Sequence, residues 1–74
     1  MTDKELLNKV KQYVEKQYQD LMKYKNDEYF KLSVQATMSR CVGVIMFAQN
    51  CGIDYKDLSF YDEYADKFRK LLFE

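Results

Sequence analysis

The chain is predicted to be all-α, with a three-helix arrangement: a long antiparallel helical hairpin and a shorter C-terminal helix, expected to dimerise into a larger bundle. Three observations point there. Apolar residues recur at three- and four-residue steps in three separate stretches. Helix start and stop residues stand at the ends of those stretches. No stretch alternates apolar and polar residues as a half-buried strand does. With 74 residues, of which 47% are hydrophobic, the chain is too apolar for a disordered one and has room for one core. Residues 1–74 are therefore expected to form a single helical domain.

The first helix is predicted over about 3–25. Thr2 and Glu5 stand at the spacing of a capping box, in which each side chain satisfies an orphan amide of the first turn. From there Leu7, Val10, Val14, Tyr18, Leu21 and Met22 form an apolar stripe that Leu6, Tyr13 and Tyr24 widen. Lys9, Lys11, Glu15, Lys16, Asp20 and Lys23 fill the wet face. Asn26-Asp27 is the expected break, because both side chains compete with the backbone for hydrogen bonds.

The second helix is predicted over about 28–51, with Glu28 in its first turn, where the helix dipole favours an acid. Its stripe is Phe30, Val34, Met38, Cys41, Ile45 and Ala48, with Lys31, Ser33, Gln35 and Thr37 off the stripe. Gly52 is placed to end it in the left-handed region, with Ile53 folding back on the last turn. From Cys41 to Ala48 the helix is apolar around its whole circumference. Such a helix needs cover on every side, and two flanking helices in a chain this short supply only part of it. A second copy is the expected remainder. Gly43 costs a helix about 1 kcal/mol relative to alanine, and with Ala36 and Ser39 on the same side it admits a close helix approach.

The third helix is predicted over about 59–73, capped by Ser59 or else Asp57. Phe60, Tyr61, Tyr64, Ala65, Phe68, Leu71 and Leu72 share one arc, and Asp62, Glu63, Asp66, Lys67, Arg69 and Lys70 the other. Glu63 with Lys67 and Asp66 with Lys70 stand at i,i+4 in the favourable order. The connection from Gly52 to Ser59 has room for one helical turn started by Asp54.

One local pattern carries a resemblance. Phe47-Ala48 leads to Gly52-Ile53 and then to Leu58 and Tyr61, so residues 44–63 resemble the helix-turn-helix of phage-repressor-like DNA-binding proteins. The resemblance rests on packing positions and implies a DNA-binding regulator as an alternative function. Electrostatics opposes it. A recognition helix approaches phosphates and is neutral or basic, whereas this segment offers Asp54, Asp57, Asp62 and Glu63 against Lys56.

Lys plus Arg and Asp plus Glu both total 12, so the formal net charge is zero, which argues against a general polyanion binder. Histidine is absent, and Cys41 and Cys51 stand ten residues apart with no third ligand. No metal, cofactor or catalytic site is therefore expected, and the chain is read as a non-enzyme. Met1-Thr2-Asp3-Lys4-Glu5 is charged from the start, and the run 41–48 is far short of the ~20 residues of a membrane span. A cytoplasmic protein with two buried, reduced thiols is expected, with no membrane partner.

The function expected from these features is that of a small protein-binding regulator, adaptor or inhibitor acting as a homodimer. That is also the style of inhibitors carried by phages and mobile elements. Arg40, Gly43, Val44 and Phe47 are the residues expected to carry self-association. Tyr55, Asp57, Asp62 and Glu63 form the expected surface for another protein, because exposed tyrosines suit interfaces and the stretch from Asp54 to Asp66 is acidic. Arg40, at the entrance to the apolar half of the second helix, needs a partner. An acid from another helix, an acid from a second subunit, or a small anionic ligand meets that need.

Overall fold

The computed structural model describes residues 2–73. Helix α1 spans Asp3–Met22, α2 Phe30–Asn50, α3 Tyr55–Leu58 and α4 Tyr61–Phe73. There is no strand among the described residues. Helix α3 is a single turn, so α1, α2 and α4 carry the fold. Helices α1 and α2 form the hairpin, and α4 packs on it mainly against α2. The molecule measures 40 × 18 × 15 Å, and its length follows from α2, whose 21 residues rise about 32 Å.

The start of α1 is capped as its sequence implies: Thr2 Oγ1 accepts the Glu5 N–H at 3.1 Å. Its end comes three residues before the predicted one. The N–H groups of Lys23 and Tyr24 donate to the carbonyls of Asp20 and Leu21, three residues back, at 3.2 and 3.0 Å, the tighter winding with which many helices close. Asp27 Oδ1 then accepts the Tyr29 N–H at 2.7 Å. Asp27 thus closes a turn ahead of α2 rather than capping the helix. Helix α2 begins at Phe30, and Glu28 lies before its first turn.

The other end of α2 matches expectation closely. Gly52 has φ 98°, the Gly52 N–H donates to Gln49 O at 3.0 Å, and the Ile53 N–H donates to Ala48 O at 3.1 Å. This is the paired closure of a Schellman motif, and it buries Ile53. Asp54 Oδ1 accepts from the Lys56 N–H at 2.9 Å and so starts α3. Ser59 does not cap α4. Its hydroxyl donates back to Lys56 O at 2.7 Å, and α4 starts at Tyr61.

The core has two connected parts. Val14, Leu21, Phe30, Val34, Cys41, Tyr61, Ala65 and Phe68 form one, and Val10, Ala48, Ile53 and Leu58 the other, with Ile45 and Phe60 packed against both. Phe68 is fully buried and meets the Tyr18 ring edge-on at 5.7 Å, a preferred aromatic geometry. Thr37, expected off the apolar stripe, is also buried. Its position three residues after Val34 and four before Cys41 puts it on the inward face whatever its polarity.

The predicted ion pairs of α4 are replaced. The Lys67 ammonium lies 5.1 Å from the Tyr64 ring centre and 5.4 Å from that of Tyr18, a cation–π arrangement. Asp66 pairs instead with Arg69 at 2.9 Å. One further expectation is corrected. Cys51 is exposed, because it sits at the C-cap where the backbone leaves the stripe. Tyr29 is exposed as well, because it precedes α2 in a turn at the open end of the hairpin.

Candidate functional site

The residues of α2 that face away from α1 and α4 form an apolar strip in water. Leu32 is 62% exposed, Met46 57%, Phe47 61% and Val42 41%. Ala36, Ser39 and Gly43 lie between them and are exposed too. The cause is local: α2 is apolar around the whole of 41–48, while one α1 and one α4 cover a single side of it. Acids are absent from α2, whose charged residues are Lys31 and Arg40.

Gly43 lies in this strip between Ser39 and Met46. A β-carbon added there meets nothing within 4 Å, and the backbone is ordinary helix. Neither packing within the chain nor backbone geometry therefore calls for glycine, and it costs the helix about 1 kcal/mol. Of the four residues expected to carry self-association, Gly43 and Phe47 lie on the strip. Val44 is half-buried against the second core cluster. Arg40 lies at the strip's edge toward α1, where its Nη2 donates to Thr37 Oγ1 at 3.1 Å and its Nε donates to Gln17 Oε1 at 3.3 Å.

Those two contacts decide how the arginine is held. No acid lies within ion-pair distance of Arg40 among the described residues, so its partners in the chain are a hydroxyl and an amide. It also lines a shallow cavity of about 150 Å³ with Gln17, Ser33, Thr37 and Asp20. The carboxylate of Asp20 in the same lining opposes an anion there.

The acidic end lies at the opposite pole from the α1–α2 turn. Tyr55 and Asp57 belong to α3, Asp62 and Glu63 to the first turn of α4, and all four are exposed. Asp57 shares a surface cavity of about 370 Å³ with Asp3, Lys4, Leu7, Gly52, Ile53 and Asp54. The segment that resembles a helix-turn-helix has four residues of helix after its glycine turn, then a break, then α4. One turn is shorter than a recognition helix that lies along a groove.

Two buried groups are shifted, both toward neutrality. Burial pushes the Cys41 thiol up to about 11 against a smaller opposing effect of Arg40. Burial, reinforced by Cys41 and opposed by Arg69, pushes the Tyr61 hydroxyl up to about 12. A reactive thiol is shifted the other way, toward the thiolate. The Tyr61 hydroxyl is buried without a hydrogen-bond partner among the described residues.

Sequence reasoning missed Leu32 and Met46 as members of the exposed strip. Their signal was present: 32, 36, 39, 43 and 46 follow one another at alternating steps of four and three, the spacing of a helix–helix seam. Comparison of the chain with protein-family models, with curated proteins and with solved structures finds no match.

Proposed function

We propose that this chain is a non-catalytic protein-binding module that works as a homodimer through the outer face of α2. Its role on this reading is that of a regulator, adaptor or inhibitor of another protein. The supporting observation is the solvent-facing strip of Leu32, Val42, Met46 and Phe47 around a glycine that the chain itself does not need. A contiguous apolar patch of this kind marks an interaction site more often than an idle surface, and it lacks the charges that keep surfaces apart. The acidic, tyrosine-bearing end formed by Tyr55, Asp57, Asp62 and Glu63 is the surface offered to the second protein.

The test is the mass of the purified chain in solution across a wide concentration range, followed by light scattering. A mass that rises toward twice 9.0 kDa with concentration supports the reading, and a constant 9.0 kDa overturns its dimer. A parallel titration with duplex DNA at two salt concentrations examines the alternative. Phosphate contacts weaken binding steeply as salt rises, and the acidic segment from Asp54 to Glu63 predicts no binding at either concentration.

A further inference from the structure

The outer face of α2 carries a pattern that is complementary to itself when reversed. Tyr29, Leu32, Ala36, Ser39, Gly43 and Met46 are all exposed and follow at steps of three, four, three, four and three. We propose, building on the dimer reading above, that the occupant of this face is a second copy of the chain whose α2 runs antiparallel. In that pairing Ala36 lies opposite Ser39 of the second copy, Leu32 opposite its Gly43, and Tyr29 opposite its Met46.

Three arguments select this arrangement. The first is volume. Antiparallel pairing sets the large Leu32 into the space above Gly43, where a β-carbon would meet nothing, and brings the small Ala36 and Ser39 together at the two-fold axis. Parallel pairing sets like against like and leaves an empty layer at Gly43 on Gly43, and cores do not tolerate voids.

The second is charge. Arg40 is the charged residue at the edge of the seam, and in this register it meets the neutral Ser33 of the second copy. Sliding the pair by seven residues, so that Met46 lies opposite Ala36, brings the two Arg40 guanidiniums face to face across the axis. No acid of α2 stands near to relieve them.

The third is area. Tyr29, Leu32, Val42, Met46 and Phe47 are 41–62% exposed and leave roughly 500 Å² of largely apolar surface in water on each copy. The exposed Gln35, Ala36, Ser39, Arg40 and Gly43 along the same strip bring the available face toward the ~800 Å² per partner of a stable interface.

Disulfide trapping reads the register directly. In the full chain carrying Cys51→Ser, which removes the exposed thiol, Ala36→Cys and Ser39→Cys are prepared separately with distinguishable masses. They are oxidised alone and as an equal mixture, after light scattering and helical circular dichroism show that each variant keeps the parent's mass and fold. The expected result is a mixed Ala36→Cys/Ser39→Cys disulfide in at least about fivefold excess over either self-linked product, because bridging needs Cα atoms within about 7 Å. Self-linked Ser39→Cys as the main product overturns the antiparallel register and leaves the dimer standing. A Cys51→Ser parent that stays at 9.0 kDa overturns both.

Discussion

The Ile53 N–H reaches back across Gly52 to donate to the Ala48 carbonyl at 3.1 Å. This bond ties the end of α2 to the second core cluster, because Ala48 and Ile53 are both buried in it. It exists only because Gly52 turns the chain at φ 98°. A β-carbon there has open space around it, so the cost of replacing Gly52 is one of backbone strain alone. Gly52→Ala is expected to lower stability by about 1–2 kcal/mol, measured by urea denaturation at constant protein concentration. An unchanged midpoint would show that the closure at 52 is not needed to hold α2 and α3 together.

The Tyr61 hydroxyl predicts the opposite sign. It is buried in the main core cluster with no hydrogen-bond partner among the described residues, and an unmatched buried polar group costs folding free energy. Tyr61→Phe keeps the ring that packs on Phe68 at 6.4 Å and removes the orphan oxygen. The variant is expected to be more stable by about 1 kcal/mol in the same denaturation assay. A loss of similar size would mean that the hydroxyl has a partner.

Much of this fold was legible in the residues, and the exceptions have physical causes. The Gly52–Ile53 closure and the Asp54 start of α3 follow from residue chemistry at single positions, so they could be read in advance. The end of α1 could not, because Tyr24 and Lys25 continue an acceptable helical pattern. The break after Met22 is made by a switch to hydrogen bonds three residues back, which no residue type at 23–25 signals. Thr37 was read by its polarity when its angular position between Val34 and Cys41 decided the matter. The candidate interface was half legible. The all-round apolar run announced that α2 lacks cover, and Gly43 and Phe47 proved to lie on the uncovered side. Which other residues share that side is fixed by where α1 and α4 settle, although the spacing of Leu32 and Met46 from Gly43 already carried the signal. Of the partners open to Arg40, the acid of another helix is replaced within the chain by Gln17 and Thr37, because the helix facing it presents an amide at that level.

Alkaline pH provides a test of the buried thiol and phenol together. Both Cys41 and Tyr61 hold their protons more tightly when folded, at about 11 and about 12, against ordinary values of 9.0 and 10.0. Above an ordinary value the unfolded chain loses the proton first, so unfolding is favoured as pH rises. The contribution of these groups to stability is therefore fully present below pH 9 and is lost progressively from pH 9 through about 12. Melting temperatures measured from pH 8 upward should fall across that window, and Tyr61→Phe should flatten the part above pH 10. A parent protein equally stable at pH 8 and 11 would show that neither group is desolvated by folding.

The central claim is that the outer face of α2 joins two copies of the chain around Gly43. Gly43→Leu tests it most directly, because the side chain enters open space in a single copy and improves helix propensity by about 0.8 kcal/mol, yet fills the space a second α2 needs. Light scattering on the parent and the variant at matched concentration, with circular dichroism as the check of folding, is the measurement. The account predicts twice 9.0 kDa for the parent and 9.0 kDa for a fully helical variant. A single-chain mass for both, or the doubled mass for both, would contradict it.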